Sequence, residues 1–222
     1  MKIFGFDFSV SKPAMCYYNT DTKEMNFYCW PMHEDNKSIE KLKLAGVNIF
    51  NRNLLPMSKK NFDNNIIMVQ EHTKRASELS DIIKDTLIEL IGKTPLKDVY
   101  VCSEGLSFGS QGNQTLDLSG YKYTLLTTLY KEGIRNIYTY SPIAIKHTAK
   151  RSKQGEWGKT FMIEAFQETD PTVSKFADTM INNNTALKKT SNYVNCVDDL
   201  VDSYWAVRTF LEKEFPEISN LA

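Results

Sequence analysis

The order in which strand-like and helix-like patterns follow one another is the feature that most constrains the fold of this chain. Three short apolar runs come first, KIFGFDF at 2–8, AMCYYN at 14–19 and MNFYCW at 25–30, and polar turns separate them. This spacing predicts an antiparallel meander. Two later apolar runs, 98–104 and 136–142, alternate with helical patterns. The order predicts an α/β fold with a central mixed five-stranded sheet flanked by helices.

Helical patterns occupy the intervals after the meander. A helix of about twenty residues is predicted from near Val69 to Ile91, and Gly92 should end it. Further helices are predicted at about 115–132 and 158–168. The stretch VDDLVDSYWAVR at 197–208 predicts the last one, which is mostly apolar and should be buried.

Residues 31–65 depart from this pattern. The stretch is rich in Lys, Asn and Met and shows little periodicity, so we interpret it as an insertion with one short helix near 38–46. Its excess of Lys and Arg would suit either a surface that contacts nucleic acid or an arm that contacts a second subunit. No repeat or linker interrupts the rest of the chain, and residues 1–222 are therefore predicted to form a single domain.

The composition excludes several classes of protein. With 41% hydrophobic and 24% charged residues the chain is of ordinary globular type. Its 27 Lys and Arg balance 27 Asp and Glu, so net charge alone indicates neither a nucleic-acid nor a membrane partner. No apolar run approaches the ~18–20 residues of a membrane span. Four cysteines without a CxxC pair indicate reduced thiols and a cytoplasmic, intracellular protein. The abundance of Asn and Lys suggests an AT-rich genome, and a virus is one such source.

The closing helix carries an acidic stripe on an otherwise apolar segment. At 3.6 residues per turn, Asp198, Asp199 and Asp202 fall within about 100° of one another. The first two have an ordinary explanation, because an N-cap and a dipole-favoured first turn are often acidic. Asp202 lies between Val201 and the pair Tyr204–Trp205, so an N-cap or first-turn position does not explain it.

Two more carboxylates end predicted strands, Asp7 in the first and Glu104 in the run 98–104. A lone strand-end Asp is usually a turn residue, but ligand sites of open α/β sheets gather at this edge. If the last helix crosses the same edge, four or five carboxylates converge, and a cation is needed to keep them ionised. Mg²⁺ or Mn²⁺ fits such oxygen ligands. The chemistry best suited to the set is two-metal phosphodiester hydrolysis, with ions ~3.5–4 Å apart.

A basic segment and an aromatic loop could contact nucleic acid. The segment has one acid, Glu156, against Lys146, Lys150, Arg151, Lys153 and Lys159. Beside a metal site it could bind phosphates, although a solvated loop would look the same. Phe108 lies in the loop GLSFGSQGNQ, where it either stacks on a base or is buried beneath the loop.

Taken in order, these motifs resemble the RuvC family of Holliday-junction resolvases, within the RNase H-like superfamily. GFDFSVSKPAMCYY is similar to the family's first strand and turn. SEGLSFGSQGNQTLDLSGYKYTLL is similar to its glutamate strand, loop and helix, and SPIAIKHTAKRSKQGEWGK to its Pro-x-x-x-Lys segment with a second lysine. The likeness runs through nearly the whole chain. The insertion and the neutral net charge depart from the family's pattern.

The resemblance implies an endonuclease that resolves four-way or other branched DNA, in recombination and repair, as a homodimer with two Mg²⁺ or Mn²⁺ ions per site. It assigns the metal ligands to Asp7, Glu104, Asp199 and Asp202, with Asp198 as a neighbour that could replace Asp199. In this scheme Asp7 bridges both ions.

The same resemblance assigns three residues to the DNA. Lys146 and Lys159 match the family's functional lysines, and Phe108 matches the aromatic residue at the junction centre. Lys150, Arg151 and Lys153 extend this basic surface.

Other functions share parts of the pattern. An RNase H-like or less structure-selective nuclease would use the same carboxylates on another substrate. A catalytically inactive nucleic-acid-binding module is the alternative of another class, although unpaired carboxylates have no structural use in a core. GEWGKT at 155–160 hints at a phosphate loop, but Lys153 and its basic neighbours stand where that loop needs glycine and a strand.

Overall fold

The fold is described from a computed structural model of the chain. The description covers residues 1–32, 36–54, 65–105, 113–152, 159–169 and 196–219. At several helix ends it covers the backbone only, namely at 36–38, 65–66, 113–116, 151–152, 159–160 and 219. No helix in the described ranges is long and apolar enough to cross a membrane.

One mixed sheet of six strands forms the centre of the described structure. Its strands are β1 Lys2–Asp7, β2 Ala14–Asn19, β3 Glu24–Cys29, β4 Asn48–Ile49, β5 Val99–Glu104 and β6 Asn136–Tyr140. They lie side by side in the order β4-β3-β2-β1-β5-β6. The meander β1–β2–β3 is antiparallel, whereas β5 runs parallel to β1 and β6 parallel to β5.

The predicted mixed sheet with flanking helices is confirmed, and it contains one strand more than expected. The extra strand, β4, comes from the predicted insertion and pairs in parallel with the end of β3, Tyr28 with Asn48 and Cys29 with Ile49. The Asn48 side-chain amide donates to the Phe27 carbonyl over 3.2 Å. Two residues are too few for the two-residue periodicity of a strand to be visible in sequence.

Seven α-helices are seen in the described ranges. They are α1 Asn36–Leu44, α2 Asn65–Ile91, α3 Asn113–Lys131, α4 Pro142–Ser152, α5 Lys159–Thr169, α6 Val197–Glu214 and α7 Pro216–Ser219. Helix α4 was not predicted, because Pro142 was interpreted as the end of a strand. The proline instead opens the helix, as its fixed φ allows at a first helical position. Ser141 Oγ accepts from the Ala144 amide over 3.2 Å and caps it.

Each face of the sheet has its own apolar core because strand side chains alternate. Ile3, Cys16 and Phe27 pack towards the helices α4, α5 and α6. Phe4 and Tyr17 pack towards α2 and α3. The fully buried Trp205 of α6 also donates its indole N–H to the Met162 carbonyl of α5, over 3.0 Å, which joins the helices of the first face.

Gly5 of β1 allows α6 to lie directly on the sheet. A Cβ atom at this position would overlap both the Ser203 carbonyl and the Val207 side chain of α6. Because only glycine leaves that space, the first strand and the closing helix approach unusually closely. This contact positions the acidic stripe of α6 beside the end of β1.

Candidate active site

Asp7 and Glu104 stand next to each other at the carboxyl edge of the sheet. Asp7 is the last residue of β1 and Glu104 the last of β5. These strands are parallel neighbours whose register pairs Phe6 with Ser103, so the two acids are the next pair along. Parallel strands end at the same edge, which explains how two distant sequence positions meet here.

Helix α6 adds acids from above this edge. Asp202 and Asp7 line the same cavity of about 280 Å³ together with Glu104 and Lys146. Its apolar wall is formed by Pro142, Ile145 and Met162. The cavity thus brings three of the predicted carboxylates and one of the predicted lysines together.

Asp7 is the electrostatic centre of this group. Burial raises the pKa of its carboxyl group well above the usual range, and the negative charges of Asp202, Asp199 and Glu104 raise it further. A hydrogen bond to Asp199 raises the pKa of Asp7 as well. Two carboxyl groups can share a hydrogen bond only when one of them holds a proton, so Asp7 and Asp199 share one proton between them when no cation is bound.

Asp198 and Asp199 have different surroundings although they are adjacent. The side chain of Asp199 is mostly buried, and its pKa is raised by burial and by Asp198, against the lowering effect of Lys12. Lys12 Nζ lies 3.3 Å from Asp199 Oδ2 and 3.8 Å from Asp198 Oδ1. Asp199 reaches Asp7 as well, whereas Asp198 is the more exposed of the two. Of the two neighbours, Asp199 is therefore the one that faces the carboxylate group.

Lys122 supports the site from the opposite side. This residue of α3 is almost fully buried, 2% exposed, and its ammonium donates to the Glu104 carbonyl oxygen over 2.6 Å. The ammonium also lies 5.6 Å from the centre of the Phe8 ring. Burial lowers the pKa of Lys122 to about 8, against the raising effect of the Glu104 and Asp7 charges. A buried cation is thus fixed beside the carboxylates.

Sequence reasoning did not identify Lys12 or Lys122 as site residues. Lys12 lies in the β1–β2 loop, and nothing near it in sequence reveals that α6 comes within reach. Lys122 is a polar residue within the apolar pattern LSGYKYTLL, which is a usable signal. A lysine on the buried face of a helix normally needs a specific acceptor.

The donor set suits a divalent oxygen-binding cation. Several carboxylates share one small cavity, and the buried Asp199 Oδ2 has no hydrogen-bond partner besides its ion contact with Lys12. Mg²⁺ and Mn²⁺ prefer such hard oxygen ligands. Within the described ranges, no three His, Cys, Asp or Glu side chains are already arranged as a closed metal site.

Only some of the residues predicted to contact DNA lie in the described parts of the structure. Lys146 lines the carboxylate cavity, and Lys150, one helical turn further along α4, is exposed. Lys159 begins α5 and Arg151 lies in the last turn of α4, but their side chains lie outside the described parts. Phe108 and Lys153 lie outside the described residues altogether.

Comparison with known proteins gives a structural match without a sequence match. No protein-family model matches the chain, and no curated protein matches its sequence. The yeast mitochondrial Holliday junction resolvase Ydc2 matches with a TM-score of 0.53 at 12% identity, over 99% of this chain and 83% of that one. Thermus thermophilus RuvC gives 0.46 at 12% identity, over 96% and 97%. RuvC in complex with a Holliday junction substrate gives 0.40 at 11%, over 94% and 96%.

At this level of identity the likeness to Ydc2 establishes the fold. The chain has an RNase H-like fold, with a mixed sheet and helices on both faces. The chain shares this fold with the resolvase Ydc2, so the resemblance seen in the sequence is confirmed for the architecture.

Proposed function

We propose that this protein is a metal-dependent endonuclease of the RuvC-like type that cuts four-way or other branched DNA. The observation that carries the proposal is the convergence of Asp7, Glu104 and Asp202 on one cavity, with Asp199 in contact with Asp7. The resolvase-like fold and the name of its structural neighbour, a Holliday junction resolvase, support the choice of substrate.

In this proposal the carboxylates are the metal ligands and Asp7 has the central place among them. The charges of Asp202, Asp199 and Glu104 all raise the pKa of Asp7, which suits a carboxylate that would be the central one among the metal ligands. Glu104 and Asp199 would hold one ion each, and Asp202 would complete the second position. When bound, Mg²⁺ or Mn²⁺ supplies Lewis-acid activation of water and of the leaving oxygen.

The cationic side chains would hold the substrate. Lys146 lines the same cavity as the acids, where its ammonium can bind the phosphate next to the scissile bond. Lys159, at the start of α5, is the second candidate for this role, and Phe108 is the candidate for stacking at the junction centre. Lys122 fixes the Glu104 backbone, so that this carboxylate enters the cavity from a defined position.

Junction resolution also requires two cuts, one in each of two strands. We therefore include a homodimer in the proposal, with one active site for each cut strand. Paired and symmetric nicks would reflect the two-fold relation of the sites.

The test is cleavage of a labelled four-way junction beside a linear duplex and an RNA–DNA hybrid, with Mg²⁺ or Mn²⁺ and with chelator. Symmetric nicks at the junction that vanish with chelator are the expected result. Cutting of the duplex or hybrid in preference would keep the metal site and refute the junction role. Metal-supplied protein that cuts none of the three substrates would leave a nucleic-acid-binding module as the function.

A further inference from the structure

A second cavity lies near the active-site edge, on the α2 face of the sheet. Its volume is about 380 Å³, a size typical of small-molecule sites. It lies between α2 and the segment that follows β4, and Trp30, Phe50, Arg52, Arg75, Glu78 and Ile82 are among its lining residues. We call it the arginine–tryptophan pocket.

The pocket contains buried hydrogen-bond donors without acceptors. Trp30 is completely buried, and its indole Nε1 has no partner. Arg52 Nη1 is also buried without a partner. An unmatched buried donor is costly, and an arginine is most readily matched by an anion. Both unsatisfied groups are donors, so a ligand that matches them has to supply acceptor atoms.

Arg52 is fixed in place before any ligand binds. Its Nε donates to the Trp30 carbonyl over 2.9 Å and its Nη2 to the Val10 carbonyl over 2.8 Å. Burial lowers its pKa to about 10, which still leaves the guanidinium charged at neutral pH. The buried Arg75 is committed to Glu71 by an ion pair of 2.6 Å. The rigid guanidinium of Arg52 therefore offers the two N–H groups of Nη1 in defined directions.

An aromatic wall borders these donors. The ring of Phe50 lies nearly parallel to those of Trp30 and Tyr28, with centroids 5.8 and 6.5 Å away. Phe50 is 42% exposed, so this series of rings ends at the surface. Exposed aromatic rings beside a phosphate-binding group are the combination with which proteins hold single nucleic-acid strands.

The pocket is close to the carboxylates. The sheet register aligns Asp7 with Ala14, and Ala14 with Cys29, the residue before Trp30. Two strand spacings separate Asp7 from Cys29, which is about 10 Å. Arg52 also holds the Val10 carbonyl, in the loop whose Lys12 contacts Asp199. One DNA strand that passes the carboxylates could therefore reach this pocket.

We propose that the arginine–tryptophan pocket binds one nucleotide of the strand that occupies the active site, with its phosphate on Arg52 and Trp30 and its base against Phe50. The proposal rests on the proposed function, since that function supplies the strand. It assigns a substrate-positioning role to a region built partly from the insertion, outside the motifs that resemble RuvC.

The test is binding of a labelled thymidine pentanucleotide by fluorescence anisotropy, in chelator and low salt so that no cutting occurs. Phe50→Ala should weaken binding roughly tenfold through lost stacking, and Trp30→Phe roughly threefold through the lost indole donor. Arg52→Gln should reduce the slope of log affinity against log salt by about 0.7, the loss of one single-strand phosphate contact.

Tyr130→Ala is the matched control. Tyr130 is 54% exposed and has the Arg135 guanidinium 3.7 Å above its ring. It lies near the end of α3, which leads into the start of β6 at the opposite edge of the sheet. This variant should bind like wild type. Thermal melting of all variants keeps loss of fold separate from loss of contact, and Trp30→Phe is mild enough to remain informative.

The outcomes separate this proposal from the proposed function. If wild-type protein cuts branched DNA but Phe50→Ala and Trp30→Phe bind the pentanucleotide normally, the pocket assignment is wrong and the nuclease stands. If the variants lose binding but wild type cuts no branched DNA, the pocket stands and the nuclease is wrong. Thymidine monophosphate that binds as tightly as the pentanucleotide would refute a strand site, and so would a wild type that binds neither.

Discussion

Two polar regions near the same sheet edge, the carboxylate site and the arginine–tryptophan pocket, have opposite charge and opposite needs. The carboxylate site concentrates acids, and burial and their charges raise the pKa of Asp7 well above its usual range. The arginine–tryptophan pocket concentrates N–H donors until Trp30 and Arg52 are left without acceptors. The sheet lies between them, because α6 covers one face and α2 the other.

The separation of the two regions by the sheet keeps both available to ligands. Acids and arginines that met would neutralise each other and become a structural ion pair. Here the sheet holds Asp7 and Arg52 on separate faces, so each region keeps unsatisfied groups that an external ligand can match. A cation suits the first region and a phosphate suits the second.

The largest expected effect comes from Asp7→Asn. This change removes the central carboxylate while keeping its shape, and junction cleavage should fall by at least roughly a thousandfold because the metal-held geometry is lost. Pentanucleotide binding in the arginine–tryptophan pocket should not change. Asp21→Asn, at an exposed acid near the amino terminus, is the control. Normal cleavage by Asp7→Asn would refute the site assignment.

Gly5→Ala should have the next largest effect, through the packing of α6. The added Cβ overlaps Ser203 and Val207, so the helix must move away from β1. We expect a loss of roughly 1–3 kcal/mol in the free energy of unfolding, measured by urea denaturation, and weaker metal binding. Gly120→Ala is the matched control, because no atom lies within 4 Å of its added Cβ. Equal stability of the two variants would contradict the close approach.

Lys122→Met tests the positioning of Glu104 separately from DNA binding. Loss of the hydrogen bond to the Glu104 carbonyl should lower kcat about tenfold, as loss of a residue that orients a metal ligand commonly does, with KM for DNA unchanged. Lys122→Arg, which keeps the donor and the charge, should recover part of the loss. A change confined to KM would indicate that Lys122 contacts DNA instead.

Lys12→Met tests whether a side chain competes with the metal. Lys12 lies 3.3 Å from Asp199, so its removal leaves that carboxylate more available to a cation. We expect Mn²⁺ affinity to increase roughly fivefold, equivalent to an ion pair of ~1 kcal/mol. Lys84→Met removes the same charge beside Asp85 on α2 and should leave Mn²⁺ affinity unchanged. Weaker metal binding by Lys12→Met would show that Lys12 supports the site.

The smallest effect concerns pH. The folded-state pKa of Asp7 is raised, so the folded metal-free protein retains a proton that the unfolded chain loses above about pH 4. Stability in chelator should therefore decline as pH rises through this window, and Mn²⁺ affinity should increase because binding releases the proton. Thermal melting against pH should show a shallower decline for Asp7→Asn. Identical profiles for the two proteins would contradict the raised pKa.

The sequence predicted the carboxylate site because its signals are local. Asp7 and Glu104 each end an apolar strand, and the acids of α6 share one helical face. The edge rule for parallel strands then brings them together. The sequence did not decide whether Asp198 or Asp199 is the metal ligand. Which of the two faces the carboxylate group depends on how α6 packs against Gly5 and Lys12.

The arginine–tryptophan pocket could not be predicted in the same way. Trp30 follows a strand, Arg52 belongs to the aperiodic insertion and Arg75 lies in the middle of α2. No spacing rule connects these three positions, and their meeting depends on the two-residue strand β4. The missed helix α4 has a similar cause, because Pro142 can either end a strand or begin a helix and only the Ser141 cap decides.

The most direct test of the proposed metal site is isothermal titration of chelator-treated protein with Mn²⁺, performed on wild type, Asp7→Asn and the control Asp21→Asn. We expect wild type and the control to bind two Mn²⁺ ions per chain with release of a proton, and Asp7→Asn to lose this binding. Absence of Mn²⁺ binding by wild type, or equal binding by all three proteins, would contradict a metal site at the carboxyl edge of the sheet.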